Sequence, residues 1–257
     1  MFRHLDQIWR IIGCGLGFIL FGLGGLAASL TIFPIIALGI REERRRQRAV
    51  RRVIQWMFRG FIAYVVGVRV IDLELHGMEK LAQCKGTVVV SNHPTLIDII
   101  LIIAVLPDAQ CVVKNQLWRN PFLGGVVRSA GYIRNDDDPE AVLLSCVRTL
   151  QSGGNLLVFP EGTRTRDGLI NRFHRGFANI AMRAGADIQC LSLTCRPLML
   201  AKHMAWYQLP RTRTRVTLTV GERVEAGAYV VYPSPLIGAR RITKSLETTY
   251  LRLLAHG

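Results

Sequence analysis

The chain begins with a long apolar stretch and then turns basic. No charged residue occurs over residues 11–40, a run longer than the roughly 20 residues with which an apolar helix crosses a bilayer. Residues 41–52 are rich in arginine, and residues 53–70 are again mostly apolar. This pattern predicts a membrane-anchoring helical segment over residues 1–70. Its first part would be a single span, a kinked helix or a re-entrant hairpin, and its second part a helix that lies in the membrane interface or packs on the core.

Beyond residue 70, short apolar runs alternate with amphipathic or wholly apolar helical patterns. Strands are predicted at residues 70–75, 87–90, 109–113, 155–159, 188–194 and 215–220, and helices at residues 97–106, 139–151, 171–183 and 239–255. Alternation of this kind is typical of an α/β domain. We therefore predict that residues 71–257 form a domain with a mixed, largely buried sheet flanked by helices.

Composition narrows the choice of partners. Half of the 257 residues are hydrophobic, and the formal net charge is +15. Such a protein suits a negatively charged membrane surface or a nucleic acid. The arginines flank an apolar segment, and we find no nucleic-acid-binding signature, so membrane lipids are the expected partners. The positive-inside rule places the arginine cluster, and the domain after it, on the cytoplasmic side of the inner membrane. A cleaved signal peptide is the competing interpretation of the first segment.

The six cysteines are scattered and show no CxxC spacing. Several lie within apolar runs, where a reduced, buried thiol is the usual state in a cytosolic domain. No metal site is expected from them.

The clearest candidate chemistry follows the apolar run at residues 88–90. This run leads into Ser-Asn-His-Pro, so His93 falls at a strand-to-helix turn, and Asp98 falls in the first turn of the next helix. The carboxylate can then hold one imidazole nitrogen and leave the other to take a proton from a hydroxyl. In the alternative interpretation, His93 only caps the turn and Asp98 only caps the helix.

A second motif, Phe-Pro-Glu-Gly-Thr-Arg, occupies residues 159–164. With the His-x4-Asp box it resembles the glycerolipid acyltransferase family, that is, the PlsC-like lysophosphatidate and lysophospholipid acyltransferases, over roughly residues 73–220. The resemblance implies that His93 is the catalytic base and Asp98 its orienter, and that Lys114 lies near the thioester carbonyl. It also implies that the second box binds the acceptor phosphate through Glu161, Gly162, Thr163 and Arg164.

Two of these roles have structural alternatives. Lys114 would otherwise be a surface lysine at the end of a strand, and Arg164 would pair with Glu161 or with Asp98.

The resemblance further implies a membrane-associated O-acyltransferase of phospholipid biosynthesis. It would need no cofactor, and its co-substrate would be an acyl thioester of coenzyme A or of acyl carrier protein. The acceptor would be a lysophosphatidate-like lysophospholipid.

One departure from the family pattern bears on that acceptor. The family's Gly-x-Ile-x-x-Asp-Arg block begins here at Gly131 but has Asp137 where the arginine belongs. Arg134 is nearby, out of register, and is the candidate substrate-binding cation. An anion in place of a phosphate-binding cation reverses the local electrostatic preference. A phosphate-free acceptor, such as a lyso-ornithine lipid, a glycolipid or a polyene lipid, is therefore the alternative. A non-catalytic membrane lipid-binding module is the alternative from another class.

Overall fold

A seven-stranded sheet forms the centre of the computed structural model, which describes residues 2–135, 138–165, 170–225, 227 and 234–255. The strands are β1 (Ile71–His76), β2 (Val88–Ser91), β3 (Ala109–Lys114), β4 (Ile133–Asn135), β5 (Asn155–Val158), β6 (Ile188–Arg196) and β7 (Thr214–Val224). The helices are α1 (Phe2–Leu30), α2 (Ile32–Gly39), α3 (Glu43–Gly67), α4 (Met78–Ala82), α5 (Asp98–Val105), α6 (Asn115–Trp118), α7 (Gly124–Ser129), α8 (Pro139–Gln151), α9 (Gly176–Ala184) and α10 (Pro235–Ala255).

The strand order is β1-β7-β6-β2-β5-β3-β4. Each neighbouring pair is parallel except β6 with β7, which is antiparallel. The predicted mixed, buried sheet is therefore confirmed. Because β2, β5, β3 and β4 run in the same direction, the segments that follow their carboxyl ends meet at one edge of the sheet, where ligands of such folds bind.

Helices cover both faces of the sheet. Along β2 the side chains alternate, with Val89 in one buried cluster and Val88 and Val90 in the other, as the two-residue period of a strand requires. The first cluster includes residues of α3 and α5, and the second includes residues of α8, α9 and α10. A strand buried on both faces accounts for the uninterrupted valine run.

The N-terminal helices share the first of these clusters. Buried residues of α3, such as Val50 and Ile54, lie in the same core as α5. On α1, Arg10 is buried and donates to the carbonyls of Arg211 and Thr212. Packing is thus continuous across residue 70, and the division of the chain there stays a prediction.

Among the described residues, His4–Gly39 is the one stretch long and apolar enough to cross a membrane. The stretch is not a single helix, since α1 ends at Leu30 and α2 begins at Ile32. The two segments predicted after it, residues 41–52 and 53–70, prove to be one continuous helix, α3.

Two predicted helix boundaries are wrong. The helix predicted from residue 171 begins at Gly176, because the preceding backbone makes other hydrogen bonds: Asn171 N donates to Glu161 Oε2, and His174 N donates to the carbonyl of Pro160. The last helix begins at Pro235, before the predicted residue 239.

All six cysteines are buried and free, as the sequence predicts. Burial raises the pKa of Cys111, Cys146, Cys190 and Cys195 to about 12. Because the thiolate is the nucleophilic form, these four thiols stay protonated and unreactive at neutral pH.

Candidate active site

The turn after β2 is fixed to the neighbouring strand by a buried asparagine. Asn92 Nδ2 donates to the carbonyl of Leu193, and Asn92 Oδ1 accepts from the amide of Leu193, each at 2.8 Å. This side chain replaces the strand pairing that β2 loses when it turns away from β6. The next residue, His93, is therefore held at a defined position on the edge of the sheet.

His93 and Asp98 are in hydrogen-bond contact, as the sequence predicts. His93 Nδ1 lies 2.9 Å from Asp98 Oδ2, and Asp98 is 1% exposed whereas His93 is 18% exposed. Since a carboxylate only accepts, the chemistry assigns the proton to Nδ1. In the neutral imidazole, Nε2 is then the ring nitrogen that can accept a proton.

A residue between them, Thr95, was not predicted to take part. Its amide donates to Asp98 Oδ2 at 2.7 Å, and its hydroxyl donates to Asp98 Oδ1. These contacts hold the carboxylate toward His93 and compensate its burial. Asp98 does lie at the start of α5, so the helix-capping alternative describes its position, but its carboxylate also contacts the imidazole.

The second motif comes directly after β5, which is the neighbour of β2 in the sheet. Its Phe159 ring stacks on the His93 imidazole, with ring centroids 4.1 Å apart and an angle of 20° between the planes. Together with the Asp98 hydrogen bond, this stacking defines both the tilt and the rotation of the imidazole.

Glu161 is buried, at 3% exposed, and both of its oxygens are occupied. Oε1 accepts from the amide of His93 at 3.1 Å and from Thr165 Oγ1 at 2.8 Å. Oε2 accepts from Asn171 through the amide at 3.0 Å and the side-chain Nδ2 at 2.8 Å. The predicted binding of the acceptor by Glu161 stays a prediction. Its contacts support another role, which is to tie the His93 turn to the loop around Asn171.

Gly162, Thr163 and Arg164 face outward from this buried anchor. Gly162 has a φ of 64°, and a Cβ there would lie 3.2 Å from the His174 ring, so glycine suits both the backbone and the close approach. Arg164 Nη1 donates to the carbonyl of Leu200 at 3.0 Å. The alternative in which Arg164 pairs with Glu161 or Asp98 is therefore wrong.

A second cation lies beside this loop. Lys202 Nζ donates to Thr163 Oγ1 at 3.0 Å. Lys202 is far away in the sequence and belongs to no recognised box, so sequence reasoning missed it. With Arg164 it forms a basic rim around Gly162, where an anionic group would be stabilised.

Lys114 and Arg134 reach the same edge farther along the sheet. Lys114 ends β3, two strands from β2 in the strand order, which corresponds to about 10 Å at the usual strand spacing. The Arg134 guanidinium carbon lies 5.6 Å from the centroid of the Trp118 ring. The binding roles of both residues stay predictions, and Asp137 lies outside the described residues.

An apolar cavity of about 640 Å³ opens next to the His93 turn. Leu96 and Leu200, which flank the turn, line one part of it. Residues of α1, α3, α5 and α7 line much of the rest, among them Phe21, Gly24, Met57, Ile100, Ile103 and Val127. A cavity of this size and lining suits a hydrocarbon chain.

Fold and site together define a class of protein. It is an α/β protein whose His–Asp pair is suited to taking a proton from a hydroxyl, beside a cavity suited to an alkyl chain. Residues 72–195 match the family model described as Acyltransferase. The match covers slightly less than half of the chain, which over those residues is similar to this acyltransferase family.

Several curated proteins are similar to the chain over part of its length. The chain is 30% identical over 153 residues to a 1-acyl-sn-glycerol-3-phosphate acyltransferase of Limnanthes douglasii, covering 57% of this chain and 50% of the relative. It is 26% identical over 135 residues to the enzyme of that name in Borreliella burgdorferi, covering 51% and 53%. The chain thus spans about half the length of these curated relatives.

A solved structure shares the fold. It is the 1-acyl-sn-glycerophosphate (LPA) acyltransferase PlsC of Thermotoga maritima, with a TM-score of 0.74. The match covers 99% of this chain and 97% of that one at 19% identity, so it speaks for the fold alone. The match includes the N-terminal helices as well as the sheet.

Proposed function

We propose that this protein is a membrane-associated O-acyltransferase that moves a fatty acyl group from a thioester to the hydroxyl of a lysophosphatidate-like lysophospholipid. The observation that carries this proposal is the buried Asp98 that holds His93 beside the apolar cavity. Several relatives are named for the same acceptor, 1-acyl-sn-glycerol-3-phosphate, which supports a role in phospholipid biosynthesis.

The reaction needs a single base in this site. Nε2 of His93 takes the proton of the acceptor hydroxyl while its oxygen attacks the thioester carbonyl, and Asp98 stabilises the imidazolium that forms. The carbon–sulfur bond then breaks and the sulfur takes the proton back from Nε2. The products are an ester and a free thiol, so protons and electrons balance. Lys114 or backbone amides would stabilise the intermediate oxyanion.

The acceptor phosphate would bind at the rim formed by Gly162, Thr163 and Arg164. The Arg164 guanidinium makes one hydrogen bond to the described residues, through Nη1, so its other N–H groups are available to a phosphate. The ammonium group of Lys202 adds a second positive charge beside Thr163. Two cations that bind the acceptor phosphate would both strengthen its binding and orient its hydroxyl toward His93.

The acyl chain would occupy the apolar cavity, and this makes chain length testable. Gly24 lines the cavity, and a Cβ there would meet only the Met57 methyl group, at 3.9 Å. We expect Gly24→Leu to fill space without strain and to shift the preferred acyl chain to a shorter one. Excluding about two methylenes at about 0.8 kcal/mol each corresponds to roughly tenfold in relative kcat/KM.

The measurement is kcat/KM for a series of acyl-coenzyme A chain lengths. Gly67→Leu is the matched control, because Gly67 is an exposed residue at the end of α3 with no atom within 4 Å of its Cβ position and no part in the cavity lining. An unchanged chain-length profile in Gly24→Leu would place the acyl chain elsewhere.

The membrane would contact the outer face of α1, which carries exposed apolar side chains including Leu5, Ile8, Trp9, Ile12, Leu16, Ile19, Leu20 and Leu23. The opposite face of α1 contacts the catalytic domain over residues 10–29. At one end Arg10 donates to the Thr212 carbonyl, and at the other the Ser29 side chain lies beside Gly125. That contact extends about 28 Å at 1.5 Å per residue, close to the thickness of a bilayer core. This arrangement favours a helix inserted from one side. By the positive-inside rule, the arginines that follow it would keep the catalytic domain on the cytoplasmic side of the inner membrane.

The acceptor is tested by measuring free-thiol release from acyl-coenzyme A and from acyl carrier protein thioesters by the purified protein. Lysophosphatidate and phosphate-free lysolipids are offered in parallel. Turnover with lysophosphatidate supports the proposal. Turnover only with phosphate-free acceptors would keep the reaction and replace the acceptor, an alternative motivated by Asp137. Lipid binding without any turnover would favour a lipid-binding module.

A further inference from the structure

A second cavity, of about 710 Å³, lies at the sheet edge formed by β4. Its walls are the first part of α3, the turn before β4 and one face of α8. In the strand order β4 is three strands away from β2, and among the described residues Tyr132 alone lines both this cavity and the apolar one. We call this second cavity the α3–α8 cavity.

Positive charge predominates around this cavity. Its charged lining residues are Glu43, Arg44, Arg48, Arg51, Asp108, Arg134 and Arg148, an excess of three positive charges. Five arginines around the α3–α8 cavity repel one another and destabilise the fold unless anions compensate their charge. Arg134 is not without a partner, and the two carboxylates compensate the other four arginines only in part.

Both carboxylates already have partners. Asp108 accepts from Arg48 at 3.2 Å and from Arg51 at 2.7 Å, and Glu43 accepts from Gln47 at 2.9 Å. Within the described ranges, neither Arg44 nor Arg148 has an ion pair. Both are exposed residues that line the cavity, Arg44 on α3 and Arg148 on α8.

Two buried donors in the wall also lack acceptors. Trp118 Nε1 and the Tyr132 hydroxyl have no hydrogen-bond partner among the described residues, and Tyr132 is 6% exposed. An indole N–H can only donate, so a hydrogen-bond acceptor is the group that Trp118 lacks. A buried donor without a partner is uncommon enough to need an explanation.

The walls are held together by a close contact. Gln47 on α3 approaches Gly131 so closely that a Cβ at residue 131 would lie 2.4 Å from the Gln47 side chain. Gly131 also has a φ of 67°, which favours glycine. Helix α3 therefore packs directly on the turn before β4. The fold then sets the distance between the arginines on α3 and α8.

We propose that the α3–α8 cavity binds a ligand that carries phosphate groups. Phosphate oxygens supply negative charge for Arg44 and Arg148, and they supply hydrogen-bond acceptors for the Trp118 N–H and the Tyr132 hydroxyl. The volume suits a small molecule or a head group. Such a ligand has two sources, a soluble nucleotide such as the carrier portion of a coenzyme A thioester, or the head group of an anionic phospholipid. The proposal requires no step of the acyl transfer reaction.

The test measures binding without turnover, so its failure is separate from failure of the proposed function. One arm titrates detergent-solubilised protein with adenosine 3′,5′-bisphosphate by calorimetry. The other arm measures co-sedimentation with phosphatidylcholine vesicles with and without cardiolipin. Each arm compares wild type with Arg44→Glu and Arg148→Glu. The matched control is Arg52→Glu, which makes the same charge change on α3 at an exposed residue outside the cavity.

We expect each cavity variant to weaken binding of one of the two probes by about tenfold or more, the effect of losing a charge-assisted contact, while Arg52→Glu changes it little. Loss of nucleotide binding identifies the soluble source, and loss of only the cardiolipin-dependent binding identifies the lipid source. If neither probe binds, or if Arg52→Glu has the same effect as the cavity variants, the proposal is overturned.

Discussion

Replacing His93 by alanine is expected to lower acyl transfer by about a thousandfold, within the range that general base catalysis contributes. The reason is local, since Nε2 of His93 is the atom positioned to take the acceptor proton, while Asp98 and Phe159 hold the ring. The measurement is kcat/KM from free-thiol release with lysophosphatidate as acceptor. Because the lysolipid contacts proposed at Arg164 and Lys202 are untouched, the loss should fall on kcat.

The control for this variant is His76→Ala, at the exposed end of β1. It removes the same side chain from the same domain and should leave the rate unchanged. Thermal unfolding of His76→Ala should resemble that of wild type, whereas His93→Ala takes a donor from the buried Asp98 and should lower the free energy of unfolding by about 1–3 kcal/mol, so the assay is made well below its unfolding midpoint. A His93→Ala protein that kept more than about a tenth of wild-type kcat would contradict the assignment of the base.

Glu161→Gln is expected to have the second-largest effect, lowering kcat by about ten- to a hundredfold and the free energy of unfolding by about 1–3 kcal/mol. Each carboxylate oxygen of Glu161 now accepts from two donors. An amide nitrogen in either place would face a donor, so a buried hydrogen bond is lost whichever way the side chain turns. The turn that carries His93 then loosens.

This variant also separates two roles for Glu161. If it positions His93, kcat falls and KM for the acceptor changes little. If it also binds the acceptor directly, KM for the acceptor rises as well. Glu79→Gln, at an exposed residue of α4, is the matched control and should change neither constant.

Several features of the site were within reach of sequence reasoning because they depend on neighbours in the chain. A valine run that stops at Asn92-His93-Pro94 indicates a strand leaving the core, and five residues separate the imidazole from Asp98. A spacing this short leaves few geometries open, and the pair does meet at 2.9 Å. The buried cysteines and the mixed sheet followed from local composition in the same way.

Other features depend on contacts between distant parts of the chain. Asn171 was expected to be helical, yet it reaches back to Glu161, because satisfying a buried carboxylate outweighs the propensity of a few residues for helix. Lys202 reached Thr163, and Arg164 reached the Leu200 carbonyl. Periodicity carries no information about such pairs.

The amino-acid sequence by itself determined the alternation of elements, the apolar N-terminal segment, the excess of positive charge and the His93–Asp98 pair, because each is a property of residues close together in the chain. Only the tertiary structure decided that Glu161 is buried with both oxygens occupied, that α1 and α3 enclose an apolar cavity with α5, and that Arg44 and Arg148 line a second one. Strand order and helix packing bring these distant residues together, and burial then sets the free-energy cost of leaving any of their charges or donors without a partner.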